Sequence, residues 1–190
     1  MTRLVLMAAA LIAAFASAPA RAAEPFALER LTDGGYVLML RHALAPGTGD
    51  PSGFALRDCS TQRTLNDVGR DQARALGDAL RAAGVAEAKV YSSQWCRCLE
   101  TAELLGLGPV EELPALNSFF GANRADRPER LAALRAFFAE QPTDGPPLIL
   151  VTHQVTVTAI TGDFVRSGEG RVLRLDGTEA PPVVGTTAAP

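Results

Sequence analysis

Two short apolar stretches determine the fold, Tyr36-Val37-Leu38-Met39-Leu40 and Leu148-Ile149-Leu150-Val151-Thr152. Each is a continuous run without polar alternation, which is typical of a strand buried on both faces of a sheet. The first run leads into Arg41-His42, and the second leads directly into His153. Ligands of open parallel sheets bind beyond the carboxyl ends of the strands. If the two strands are neighbours, both histidines therefore lie at one ligand-binding edge.

Helices and further short strands are predicted around these two stretches. Residues typical of helix starts and helix ends predict four helices. They are expected over residues 66–83, from Ser92 or Ser93 to Leu105, from Pro128 onward, and after His153 to Gly162. Short strands are expected at 89–91, 172–175 and 182–184, and residues 113–124 are expected to be irregular. Alternating strands and helices predict an α/β fold, a three-layer sandwich with a mainly parallel sheet flanked by helices.

The first 22 residues have the features of an export signal. Arg3 gives a positive start, residues 4–15 are apolar, and Ala20-Arg21-Ala22 offers a small-x-small cleavage site. The apolar stretch is too short to span a bilayer of roughly 30 Å, although an uncleaved amphipathic anchor is an alternative. We therefore expect a signal peptide over 1–22, one domain over 23–185 and a disordered tail over 186–190. The mature protein should be periplasmic and not inserted in the membrane.

Composition excludes several classes of protein. The chain has 190 residues, 47% hydrophobic and 21% charged, so it is long enough for one domain and is not disordered as a whole. A net charge of −3 argues against binding to nucleic acid through electrostatics. Lys89 is the only lysine among 18 basic residues, so an arginine carries weight only where its position is special. The two histidines can each be considered individually.

The three cysteines, Cys59, Cys96 and Cys98, allow one disulfide in an oxidising compartment. Cys96 and Cys98 lie two residues apart on a predicted helix and point away from each other, so the bridge should join Cys59 to one of them. A zinc site is disfavoured because there is no CxxC pair, and no metal is expected. A thiol redox protein built on Cys96 and Cys98 is disfavoured for the same reason.

Two arginines accompany the histidines. Arg41 ends the first apolar run and needs an anionic partner or solvent. Arg97 falls in the first turn of the second helix, where the helix dipole disfavours a cation unless an anion binds there. An ion pair between Arg97 and Glu100 is the alternative. Together these residues predict an anion site at the strand ends.

Four motifs in order resemble the histidine phosphatase superfamily, which includes the cofactor-dependent phosphoglycerate mutases. Arg41-His42-Ala43 is similar to the family's Arg-His-Gly, and the late strand that ends in Thr152-His153 is similar to its Ser/Thr-His. The family's Ser-x-x-x-Arg-Ala-x-x-Thr-Ala and Leu-Thr-x-x-Gly-x-x-Gln-Ala motifs are matched by two longer stretches, residues 92–102 and 63–73. The resemblance spans roughly residues 36–162.

The resemblance implies a phosphatase with a phosphoglycerate mutase-like fold. No cofactor is expected, and no metal is expected because two arginines and a second histidine can supply the positioning and charge that phosphoryl transfer needs. His42 would be the nucleophile that forms a phosphohistidine, and Arg41, Arg97 and His153 would hold the phosphoryl oxygens. The other nitrogen of His42 should donate to a backbone carbonyl. Thr48 falls where the mutases place a phosphate-binding asparagine.

The family has two branches, and each uses its own residue as the general acid. Neither residue is present in this sequence. Ser118 or Asn117 occupies the position of the main branch's glutamate, and Gln154 follows His153 where the acid phosphatases have aspartate. Asp50, Asp58 or Glu169 could supply the proton, although each is expected to be an ordinary solvated carboxylate. The substrate would be a phosphorylated small molecule or an envelope sugar phosphate. A catalytically weak member that binds a phosphorylated anion is the alternative.

Overall fold

The computed structural model describes residues 24–190, and the expected leader over 1–22 lies outside the described residues. Within residues 24–190, six strands form one sheet in the order β3-β2-β4-β1-β5-β6. The strands are β1 (Tyr36–Arg41), β2 (Lys89–Ser92), β3 (Val110–Glu112), β4 (Leu148–Thr152), β5 (Gly170–Arg174) and β6 (Val183–Thr187). The helices are α1 (Asp67–Ala82), α2 (Cys96–Leu105), α3 (Arg127–Glu140) and α4 (Gln154–Thr161).

Strands β1 and β4 are parallel neighbours at the centre of the sheet. Their register pairs Arg41 with Thr152, and the His42 backbone N–H donates to the Thr152 carbonyl at 2.9 Å. Strands β2 and β3 continue the parallel part, whereas β5 and β6 are antiparallel to their neighbours. The predicted meeting of the two histidines at one sheet edge is therefore confirmed.

The sheet separates two hydrophobic cores, which makes three layers. Alternate residues of β1 face opposite sides: Leu38 and Leu40 pack in the core that includes Leu76 of α1, whereas Val37 and Met39 pack in the other. That second core includes buried residues of α3 and α4, Leu134, Phe138 and Val157. Both faces of the central strands are thus covered, which explains why their sequence is apolar throughout.

Two local predictions are wrong, and one short strand is missed. Trp95, and not Ser92 or Ser93, occupies the N-cap position of helix α2, and its side chain makes no capping hydrogen bond. The hydroxyls of the two serines contact the Ser93 carbonyl and His153 instead. Thr186 and Thr187 are not in a disordered tail; they end strand β6, whose edge position could not be inferred from its mixed sequence. The parallel edge strand β3 was not predicted, because three residues are too short to show a pattern.

The first described residues cover the outer edge of β6. The Phe26 N–H donates to the Thr186 carbonyl at 2.8 Å, and the Thr186 N–H donates to the Glu24 carbonyl at 2.9 Å. The backbone at the start of the described chain therefore satisfies the N–H and the C=O of Thr186 on this edge strand. Within residues 24–190, no helix combines the length and apolar character needed to cross a membrane.

Candidate active site

His42 and His153 lie side by side just beyond the ends of β1 and β4. Their ring centroids are 5.6 Å apart, and both side chains are almost fully buried. Burial is the main cause that lowers the pKa of His42 to about 3, with the Arg97 charge second. The same two causes, in the same order, hold the pKa of His153 well below its ordinary value of 6.5. Both imidazoles are therefore neutral at physiological pH.

The hydrogen bonds of His42 assign its tautomer. Nδ1 lies 2.7 Å from the Ala43 carbonyl, an acceptor only, so Nδ1 carries the proton. Nε2 is then unprotonated, and its lone pair accepts a hydrogen bond from Arg97 Nε at 3.2 Å. The predicted backbone acceptor for His42 is confirmed. The lone pair at Nε2 is the one required of an attacking nitrogen.

Contacts from two helices hold the turn after His42. The Ala43 N–H donates to Thr101 Oγ1 of α2 at 3.1 Å. Gly69 of α1 approaches so closely that a Cβ there would lie 2.2 Å from the Leu44 carbonyl oxygen. Ala43, at the family's glycine position, has a negative φ, so its methyl group causes no strain.

His153 is oriented from behind by a chain of polar groups. Arg97 Nη2 lies 3.4 Å from His153 Nδ1, so Nδ1 accepts and Nε2 carries the proton. Nε2 donates to Ser93 Oγ at 2.8 Å, and Ser93 Oγ donates to Asn117 Oδ1 at 3.2 Å. The Ser93 hydroxyl thus fixes the ring of His153, a role that the sequence analysis missed.

Arg97 enters the site from the first turn of α2. The Gln62 side chain accepts the Cys96 N–H at 3.1 Å and so caps the helix in place of a serine. The expected alternative partner, Glu100, pairs instead with Arg70 at 2.6 Å. The anion that Arg97 requires is Asp50, whose carboxylate binds Nη1 at 2.6 Å and Nη2 at 3.1 Å.

Two further arginines line the same site. Arg41 Nη1 donates to the Val165 carbonyl at 3.1 Å, whereas its buried Nε has no hydrogen-bond partner among residues 24–190. A buried donor without a partner indicates where a ligand could bind. Arg63, which the sequence analysis did not select, donates through Nη1 to the Ala45 carbonyl at 2.5 Å. Nothing in the sequence is a reason to select Arg63, because it is one of seventeen arginines and its position is not distinctive.

A cavity of about 570 Å³ opens above these residues. Arg41, His42, Arg97 and His153 all line it, as do the predicted substrate-binding residues Thr48 and Ser118. Asn117, the alternative to Ser118, instead accepts the Gln94 N–H at 2.8 Å and supports Ser93. Phe54 and Phe120 add apolar wall to the cavity mouth. The structure therefore brings the predicted site residues together.

The three candidate proton donors have different environments. Asp58 accepts the Ser60 N–H at 3.0 Å, and Glu169 accepts the Arg166 N–H at 2.8 Å; neither lines the cavity. The expectation of a solvated carboxylate is wrong for Asp50, whose side chain is only 10% exposed. Burial raises the pKa of Asp50, but the hydrogen bonds and charge of Arg97 outweigh it and lower the pKa overall. Asp50 is therefore ionised and cannot donate a proton at neutral pH.

The predicted disulfide joins Cys59 to Cys96. It links the loop that carries Asp50 to the residue before Arg97, so both partners of the Asp50–Arg97 pair are tied to one covalent bridge. Cys98 is a free, buried thiol, and burial raises its pKa to about 12. Cys98 is thus uncharged and chemically inert at physiological pH.

The neutral histidines predict a loss of stability in acid. In the unfolded chain histidine binds a proton near pH 6.5, whereas folded His42 does so only near pH 3, so folding stability falls as the pH falls through this window. We expect His42 alone to lower the free energy of unfolding by about 1 kcal/mol between pH 6.5 and 5.5, with His153 acting in the same direction. Urea denaturation at several pH values measures this slope. His42→Asn should flatten it, and an unchanged slope would contradict the assignment.

Comparisons with known proteins place this site in a family. A model of the histidine phosphatase superfamily (branch 1) matches residues 37–123. The protein histidine phosphatase SixA complexed with tungstate has a TM-score of 0.57 at 19% identity, covering 80% of this chain and 96% of its own. An open reading frame product of Mycobacterium tuberculosis has a TM-score of 0.59 at 18% identity, covering 81% and 96%.

A third similar structure is the mycobacterial glucosyl-3-phosphoglycerate phosphatase, with a TM-score of 0.54 at 17% identity, covering 79% of this chain and 96% of its own. No match is found among curated proteins. At these identities the structures show the common fold, whereas the family model matches the stretch that holds His42 and Arg97. The chain belongs to branch 1 of the histidine phosphatase superfamily.

Proposed function

We propose that this protein is an exported phosphatase that hydrolyses a phosphomonoester or a phosphoramidate through a phosphohistidine on His42, without a metal ion. The observation that carries the proposal is the lone pair of His42 Nε2, which faces Arg97 in a cavity shared with Arg41, Arg63 and His153. Phosphoryl transfer depends mainly on positioning and charge stabilisation, and these side chains supply both.

The reaction takes two displacements at phosphorus. His42 Nε2 attacks the phosphoryl group, an N–P bond forms, and the bond from phosphorus to the leaving oxygen or nitrogen breaks. Water then attacks the phosphohistidine, the N–P bond breaks, phosphate leaves and neutral His42 is restored. Arg97 Nε must release His42 Nε2 in the first step, and a phosphoryl oxygen replaces that nitrogen as its acceptor.

The proton for the leaving group defines the substrate chemistry. Asp50 is the acidic residue that lines the cavity, and its lowered pKa keeps it ionised. A general acid typically contributes about 10²–10⁴-fold to the rate. Leaving groups that need no enzyme acid should therefore be favoured, such as a phenolate or the nitrogen of a phosphoramidate. The similarity to a protein histidine phosphatase agrees with this class.

Export and an envelope substrate belong to the same proposal. The leader features of residues 1–22 support export, and the Cys59–Cys96 disulfide supports a destination in the oxidising periplasm. A cavity of about 570 Å³ has room for a leaving group beyond the phosphoryl group, and an envelope sugar phosphate is one candidate. The similar fold of a phosphatase acting on glucosyl-3-phosphoglycerate agrees with this candidate.

Hydrolysis of three substrates by the mature protein, each measured with and without a chelator, tests the proposal. We expect p-nitrophenyl phosphate and phosphoramidate to be hydrolysed at least about tenfold faster than glycerol phosphate, because only the last needs a general acid. Loss of activity with chelator, restored by a divalent ion, would contradict metal independence. No hydrolysis of any substrate, with tungstate still bound, would favour the anion-binding alternative.

A further inference from the structure

Asp50 is a residue of the site to which the family resemblance assigns no role. Its carboxylate accepts four hydrogen bonds: from Arg97 Nη1 and Nη2 at 2.6 and 3.1 Å, from Trp95 Nε1 at 3.0 Å, and from the Arg63 N–H at 3.4 Å. A carboxylate with this many fixed donors is held rigidly. Asp50 belongs to the loop that follows His42, so it reaches Arg97 from a different part of the chain.

The contacts of Arg97 divide between two edges of its guanidinium. The Nη1/Nη2 edge binds the two oxygens of Asp50 as a parallel pair. The Nε/Nη2 edge faces the histidines, with Nε 3.2 Å from His42 Nε2 and Nη2 3.4 Å from His153 Nδ1. Because the guanidinium is planar, fixing one edge fixes the direction of the other.

We propose that Asp50 is a positioning residue that anchors the Nη1/Nη2 edge of Arg97, so that its Nε/Nη2 edge is presented to the phosphoryl group between His42 and His153. This inference rests on the proposed phosphatase reaction. Asp50 does not occupy the phosphoryl position, because its oxygens bind the edge that does not face the histidines. Its ionised state also excludes the role of proton donor.

Asp50 also sets the charge of the cavity. Arg41, Arg63 and Arg97 bring three positive charges, and Asp50 removes one of them. Without the carboxylate the cavity attracts a simple oxyanion more strongly, while the edge of Arg97 that stabilises the transition state loses its fixed direction. Removing the charge of Asp50 should therefore lower kcat without weakening the binding of phosphate. A merely structural defect would weaken both.

The variant Asp50→Asn tests this separation, because asparagine has nearly the same shape but offers one oxygen where Arg97 needs two. We expect kcat for p-nitrophenyl phosphate to fall about 10–100-fold, in line with the loss of a positioning contact. The Kd for inorganic phosphate, measured by calorimetry, should stay equal or fall. The control is Asp58→Asn, a carboxylate of the same loop that does not touch Arg97, and both constants should change less than about twofold.

A second readout is independent of activity. The side-chain Nε–H of Arg97 should give a distinct, slowly exchanging NMR signal in the wild-type protein, lost in Asp50→Asn and kept in Asp58→Asn. An inactive wild type with this signal pattern would refute the proposed reaction and leave the anchoring intact. An unchanged kcat, or an unchanged signal in Asp50→Asn, would overturn the inference. If Asp50→Asn does not fold, Trp95→Phe removes one donor to Asp50 and should lower kcat in the same direction.

Discussion

The variant His42→Asn is expected to form no phosphoenzyme and to lose more than about a thousandfold in kcat for p-nitrophenyl phosphate, because it removes the proposed nucleophile. Asparagine is chosen because its amide nitrogen can take the place of Nδ1 and keep the hydrogen bond to the Ala43 carbonyl. The change therefore removes Nε2 while it preserves the turn. Rapid quenching with labelled substrate measures the phosphoenzyme, and its label should be lost in acid, as is typical of an N–P bond.

His153→Asn is the matched control for this prediction. It removes the second buried imidazole but leaves the nucleophile, so the phosphoenzyme should still form, more slowly than in the wild-type protein. A labelled intermediate in His42→Asn, or the absence of one in His153→Asn alone, would show that His153 and not His42 is the nucleophile.

Removing the Cys59–Cys96 bridge is expected to cause the largest loss of stability. The bridge spans a sequence separation of 37 residues, and closure of a loop of this length is worth about 3–4 kcal/mol in the chain-entropy treatment. The double variant Cys59→Ser, Cys96→Ser should lose this amount in urea denaturation. The wild-type protein in reductant should behave in the same way.

Cys98→Ala is the control for the disulfide prediction. Cys98 is buried and forms no disulfide, so Cys98→Ala removes one buried sulfur atom and should cost about 1–2 kcal/mol, less than loss of the bridge. A loss of less than 1 kcal/mol in the double serine variant would show that packing, and not the bridge, holds the loop against α2. Because the bridge joins the Asp50 loop to the start of α2, we also expect the double variant to lose phosphatase activity before it unfolds.

The central fold could be predicted because its signals are local. The apolar runs of β1 and β4 define buried strands, and each histidine follows its strand in the sequence, so a parallel pairing was sufficient to bring them together. The Asn66 cap of α1 is equally local. Arg97 was selected for its place in a helix's first turn, and that place is confirmed.

The missed residues depend on contacts between distant parts of the chain. Asp50 lies 47 residues from Arg97 in a loop rich in glycine and proline, where one aspartate looks like any solvated carboxylate. Ser93 was predicted as a helix cap, because the sequence does not show that a histidine 60 residues later uses its hydroxyl. Gln62 takes the capping role from another loop. Propensity indicates which local partner a side chain could have, but packing decides which partner it has.

The backbone that covers β6 has a consequence for self-association. An uncovered edge strand offers unpaired N–H and C=O groups to another chain, and so can nucleate aggregates. Here residues 24–26 occupy that edge through the Phe26 and Thr186 backbone. If the leader is cleaved after Ala22, only one residue separates the new terminus from this protective segment. Processing a few residues further along would expose the backbone N–H and C=O of Thr186, so we expect the position of cleavage to affect self-association of the mature protein.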